Sequence, residues 1–239
     1  MSAAHGALFL VPVALGDTPW TRFAPADTQQ RTGGIMHFVV ENAKTARAEL
    51  KRLQHPAPLR DVDIRVLPEG NDVAALDALL APALAGHDIG LMSEAGCPAV
   101  ADPGARLVAR AHALGVTVRP LVGPSSILLA LMASGLNGQS FAFNGYLPVA
   151  EAERNARIRL LEDESRKLAR TQIFIETPYR NERLLDALLA TCRPDTRLCV
   201  ARDLTSDEEW IHSQAVGAWR RAPRPDLARR PALFLLLAA

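Results

Sequence analysis

Four short stretches hold the residues whose types and spacing suit chemistry. The longest is Ser93–Gly104, SEAGCPAVADPG, which follows an apolar run and sets two acids among glycines, prolines and small side chains. Gly96 and Pro98 impose an irregular backbone there, with Ala95, Val100 and Ala101 adding little side-chain bulk. Main-chain N–H and C=O groups in so bare a loop can read the edge of an adenine or a carboxylate. Ser93 and Glu94 stand just past the strand, and Asp102 either faces a ligand or caps the next helix. In VALGDT, Val13–Thr18, Gly16 permits close approach and Asp17 offers a carboxylate, although a plain turn explains the same residues. Gly123-Pro124-Ser125-Ser126 leads into an apolar helix, where Ser125 caps the helix or donates to a ligand.

The fourth group is FNGYLP (Phe143–Pro148), IFIETPYRNERLL (Ile173–Leu185) and ARDLTSDEEWIH (Ala201–His212). Glu176 ends a strand of apolar neighbours, and a buried unpaired carboxylate is costly. Arg180 or Arg202 is therefore its expected partner. Tyr146 and Tyr179, the only tyrosines, sit in these loops and either line a pocket or close a core edge.

Several chemistries are excluded by what the chain lacks. No GxxxxGK[ST] occurs, and no G-x-G-x-x-G follows a strand, which weighs against NAD and the usual ATP hydrolysis. The serines have no G-x-S-x-G setting. Six histidines and three cysteines show no metal-ligand spacing, so no metal is expected. The odd cysteine count suits a reducing compartment. The apolar run near the N-terminus lacks a basic flank and is too short to span a bilayer, which points to a cytoplasmic protein. Net charge is +1, giving no global attraction to nucleic acid.

The elements that must position these loops read as α/β. Apolar runs at Ala7–Val13, Ile35–Val40 and His87–Met92 suit buried parallel strands, with another strand at Val62–Leu67. Ala43–Leu53 sets Ala43, Ala46, Leu50 and Leu53 on one helical stripe, and Asp72–Leu84 and Asp102–Leu114 read as further helices. Gly115 ends the last of these, and a strand begins at Val116. Strand and helix alternate, as in a parallel sheet. A domain boundary is drawn at 120/121 within RPLVGPSS, giving domains 1–120 and 121–239. Helices at Ile127–Ala133, Ala152–Leu168, Asn181–Ala190 and Val216–Arg221 follow, with strands at Phe141–Phe143, Thr171–Ile175, Thr196–Ala201, Trp210–His212 and Ala232–Leu237. The second half is thus also α/β, with a mixed sheet expected.

Taken in order, these loops resemble the tetrapyrrole methylase superfamily, nearest to its branch that 2'-O-methylates a cytidine of bacterial small-subunit ribosomal RNA. SEAGCPAVADPG matches a family SDAGTPxxxDPG, and PLVGPSS matches PLPGPSA. GYLP matches GFLP, Glu176–Arg180 matches ExxxR, and ARDLTSDEE matches ARELTKxxE. LFLVPVALGD stands for the first strand and its glycine loop. The resemblance implies an S-adenosyl-L-methionine-dependent methyltransferase of two α/β domains, the donor held between them, working as a homodimer. It implies donor contacts at Val13, Gly16, Ser93, Glu94, Ala95, Gly96, Val100, Ala101, Asp102, Ser125, Ser126, Tyr146 and Arg202. Glu176 or Asp17 would take the acceptor proton, unless Glu176 only holds Arg180.

The departures fall on the acceptor side. VVENAKTAR replaces a family AEDTR, RRPALF replaces a KGE before the last strand, and Gln54–Gly70 does not match. The acceptor is accordingly left between a ribosomal RNA ribose 2'-hydroxyl and a small molecule or tetrapyrrole. An inactive or weak relative that still binds S-adenosylmethionine or S-adenosylhomocysteine is the alternative.

Overall fold

The computed structural model describes residues 5–70 and 72–239. The chain divides into two compact units, one ending at Ser125 and the other running Ser126–Ala239.

In the first unit the order is β1 (Ala7–Leu10), α1 (Trp20–Phe23), α2 (Ala26–Gly33), β2 (His37–Val40), α3 (Ala43–Leu53), β3 (Asp63–Val66), α4 (Val73–Leu84), β4 (Ile89–Met92), α5 (Ala105–Ala113) and β5 (Thr117–Pro120). The strands pair in parallel in the order β3-β2-β4-β1-β5. Successive strand residues point to opposite faces. Phe9, Phe38 and Met92 therefore enter one core with Trp20 and Leu50, while Leu8, Val39 and Leu91 enter another with Leu80 and Leu107. Burial on both faces is why the strands read as continuous apolar runs. Asn42 and Asp72 start α3 and α4 by accepting two backbone N–H bonds each, at 2.9 and 3.3 Å.

The short helices α1 and α2 have no counterpart in the sequence reading. Proline at both N-caps, Pro19 and Pro25, starts them, and α2 buries only Thr28 and Thr32, so no apolar stripe marks it. The helix expected from Asp102 begins instead at Ala105, because Gly104 at its N-cap takes φ +131°. Asp102 is thus left in the loop and caps nothing.

The second unit contains α6 (Ser126–Ser134), β6 (Phe141–Tyr146), α7 (Glu151–Leu168), β7 (Thr171–Ile175), a 3-10 turn at Pro178–Arg180, α8 (Asn181–Thr191), β8 (Arg197–Arg202), β9 (Trp210–Ala215), α9 (Val216–Trp219) and β10 (Ala232–Leu237). Its sheet runs β6-β7-β10-β8-β9. Strand β6 is parallel to β7, and β10 is antiparallel to both β7 and β8, so the sheet is mixed. The last strand in sequence is the middle strand in space, which explains why ALFLLL is wholly apolar. Phe174 and Phe234 stack at 6.2 Å in its core, and Trp219 donates its indole N–H to the Leu198 carbonyl at 2.8 Å.

Candidate functional site

In the first unit β1 lies between β4 and β5, all three parallel, so the loops leaving their C-terminal ends emerge side by side. That edge is where open α/β sheets bind ligands. The loops are also tied to one another. Val13 and Gly96 form a two-way bridge, N–H to C=O at 2.9 and 3.2 Å. The Cys97 thiol donates to the Pro124 carbonyl at 3.3 Å. Gly123 passes so close to the first loop that a Cβ on it would stand 2.2 Å from Pro12 Cγ. VALGDT, SEAGCPAVADPG and LVGPS thus form one surface of the first unit.

The central loop is strained. Ala99 and Ala101 both hold positive φ, at +65° and +64°. For an alanine this region costs about 1–2 kcal/mol, and such strain collects where a loop must keep an uncommon shape. Val13 and Ser93 are buried, whereas Glu94 and Val100 face solvent.

Three carboxylates from two strand ends cluster on this surface. The Glu94 N–H donates to the Glu41 carboxylate at 3.2 Å, and Thr45 Oγ1 donates to Glu94 at 3.2 Å. Burial pushes the Asp102 carboxyl above its ordinary range, the Ser93 hydroxyl partly offsets this, and the charge of Glu94 adds to it. Glu41 is raised chiefly by burial, with a hydrogen bond from Glu94 opposing and the charges of Asp102 and Glu94 contributing. Sequence reading missed Glu41. The available signal was its place one residue past β2, the strand beside β4. Asp17 stands apart from the three, at the tip of the first loop, with its side chain 97% exposed and 2.8 Å from Arg52. Gly16 contributes its carbonyl, which accepts from the Thr18 N–H at 2.9 Å and from Arg52 at 3.4 Å.

In the second unit Glu176 is buried and paired with Arg180, not Arg202. Its Oε1 accepts from Arg180 Nη2 at 2.6 Å, Arg180 Nε at 3.0 Å and the Thr177 N–H at 2.7 Å. This carboxylate raises the Arg180 guanidinium further above its ordinary range. Arg180 lies 5.3 Å from the exposed Tyr179 ring. Tyr146 is also exposed, at the end of β6, where Gly145 at φ +62° accompanies a break in the pairing register with β7. Arg202 donates to Asp203 at 2.7 Å and lies 5.7 Å from the Trp210 ring, while Arg230 is held by Asp203 at 2.8 Å and Asp226 at 3.1 Å. Ser125 closes the third loop and Ser126 opens α6.

An open parallel sheet whose strand ends carry bare, interlocked loops offers its ligand edge there, and the chain has no phosphate loop. Residues 29–217 match the family model for tetrapyrrole (corrin/porphyrin) methylases, and the chain belongs to that family. Among curated relatives, the ribosomal RNA small subunit methyltransferase I of Escherichia coli O157:H7 is 30% identical over 235 residues, covering 98% of this chain and 78% of the relative. Its counterpart in Micromonospora olivasterospora is 34% identical over 209 residues, covering 87% and 62%. For Vibrio cholerae the values are 37% over 145 residues, covering 61% and 49%. The chain thus spans from about half to about three quarters of these relatives.

Two solved structures share the fold at 18% identity. The methyltransferase CobJ superposes with a TM-score of 0.62 over 98% of this chain and 95% of its own. A uroporphyrin-III-C-methyltransferase from Thermus thermophilus gives 0.53 over 97% and 92%. The class is that of S-adenosyl-L-methionine-dependent methyltransferases. None of these relatives is named as an inactive protein, and the alternative of an inactive relative draws no support from them. Among the described residues no helix is long and apolar enough to cross a membrane, and no cluster of His, Cys, Asp or Glu is suited to a metal ion.

The first-unit surface fits part of such a donor. Its carboxylates complement ribose hydroxyls and an ammonium group, both hydrogen-bond donors.

Proposed function

We propose that this protein transfers a methyl group from S-adenosyl-L-methionine to a ribose hydroxyl of small-subunit ribosomal RNA. The observation carrying the reading is the 30% identity to a ribosomal RNA small subunit methyltransferase along 98% of the chain. When bound, the donor supplies an electrophilic methyl group on a sulfonium. The chain must then hold the acceptor oxygen in line and let its proton leave.

In this reading the loops at Val13–Gly16, Ser93–Asp102 and Gly123–Ser125 hold the donor. Glu41, Glu94 and Asp102 accept hydrogen bonds from it. Asp17, exposed at a loop tip, takes the acceptor proton. Glu176, whose Oε1 already accepts from Arg180 and Thr177, orients Arg180 instead of moving a proton. The protein is proposed to act as a cytoplasmic homodimer.

The test incubates the protein with isotope-labelled donor and small ribosomal subunits from cells lacking the modification, then digests the RNA for mass spectrometry. Label on one ribose is expected. Asp17→Asn should lower kcat about a hundredfold while leaving donor affinity unchanged. Label absent from RNA in a folded, donor-binding sample would refute the RNA acceptor.

A further inference from the structure

A cleft of about 520 Å³ lies within the second unit, between the start of α7 and α8. Val149, Glu151, Arg154, Asn155, Arg183 and Asp186 contribute to its wall. Arg154 is 6% exposed. Its Nη1 donates to the Val149 carbonyl at 2.9 Å, its Nε has no partner, and it forms no ion pair among the described residues. Arg202, comparably sequestered, is matched by Asp203 at 2.7 Å. Desolvating a cation without a counter-ion is expensive, so Arg154 is a buried charge short of an anion. The next residue, Asn155, also carries a buried side-chain oxygen with no partner.

The surroundings favour an anion at this point. The N-cap of the 18-residue helix α7 is Ala150, which offers no side-chain acceptor to its first-turn N–H groups. The positive end of the helix dipole therefore stays available. Arg183 adds a second, exposed cation on α8. Of the two acids in the wall, Asp186 is already engaged by Arg224 at 2.9 Å, leaving Glu151 as the opposing charge.

We propose that this cleft binds a phosphate group, carried either by an RNA backbone or by a free phosphorylated molecule. Arginine matches phosphate through paired N–H donors, and the amide of Asn155 would meet a neighbouring sugar hydroxyl. The assignment does not depend on the methyl donor or the acceptor.

The test titrates inorganic phosphate into the full-length protein at low ionic strength, following backbone amide resonances. Ribose 5-phosphate and a single-stranded oligoribonucleotide follow as competitors. Shifts confined to residues 149–155 and the facing turn of α8 are expected. Arg183→Ala should weaken phosphate binding about fivefold, and Glu151→Gln should tighten it about twofold, with S-adenosylhomocysteine binding unchanged in both. Arg154→Gln should abolish phosphate binding; if that protein misfolds, the two exposed variants still decide the question. Tighter displacement by the oligoribonucleotide than by ribose 5-phosphate would identify an RNA backbone as the source, and the reverse a free molecule. No shift at these residues, or equal affinity in the wild type and both exposed variants, would overturn the proposal.

Discussion

At the scale of single residues, the first unit concentrates negative charge where it costs stability. Glu41, Glu94 and Asp102 have no cation among them to explain their company, and burial raises two of the three. Asp102 is the most telling. Its folded carboxyl titrates above its unfolded value, so its ionisation opposes folding. That penalty is absent below the unfolded value, about 3.9, and grows as pH rises through the folded one. Asp102→Asn should accordingly raise the melting temperature at pH 7.5, with the gain shrinking toward zero near pH 4. A gain independent of pH would mean that packing, not charge, separates the two proteins. Cysteines carry no such tension. Burial pushes Cys192 and Cys199 up to about 12, which leaves them as inert core thiols.

Elements explain how three separate loops become one surface. Strands β4, β1 and β5 deliver them at one sheet edge, and the Val13–Gly96 bridge and the approach of Gly123 to Pro12 lock them together. Gly123→Ala should push the third loop off the first. Overpacking of this kind costs about 1–3 kcal/mol. The expected result in calorimetry is a modest fall in melting temperature with a loss of S-adenosylhomocysteine affinity of at least tenfold. Unchanged affinity would separate this loop from donor binding. Most strands and helices were legible because apolar runs and stripes report burial directly. Helices α1 and α2 were not, since proline starts them and tertiary contacts such as Thr28 Oγ1 to the Val122 carbonyl, 2.9 Å, hold α2 in place of an apolar stripe. Strand β6 runs three residues beyond its expected end at Phe143, because its pairing with β7 resumes at Tyr146 after the irregular Asn144-Gly145 step.

For the whole molecule, the division into units predicts uneven robustness. The second unit depends on its last strand, which pairs along both edges with β7 and β8. The first unit has its own cores, built from residues up to Leu121. A chain ending at Arg230 should therefore lose the second unit while keeping the first. Limited proteolysis is expected to leave a resistant fragment ending near Ser125, with a thermal transition of its own. Complete digestion would show that the first unit cannot stand without the second.

Composition and strand runs were enough to read an α/β chain, because burial pattern is a property of neighbouring residues, and the methyltransferase class came from the resemblance that six loop motifs carry in order. Gly96 and Pro98 also marked the loop after β4 as irregular, and Gly96 does hold a positive φ there, at +69°. Pairing across the chain was beyond that reach. That Glu176 takes Arg180 over Arg202, that Glu41 joins Glu94 and Asp102, and that Arg154 lies buried without an anion all depend on residues brought together by strand order and helix packing. Distance along the chain carries no record of those meetings. Only the fold, which sets which side chains share a desolvated space, decides which charges are answered and which are left for a ligand.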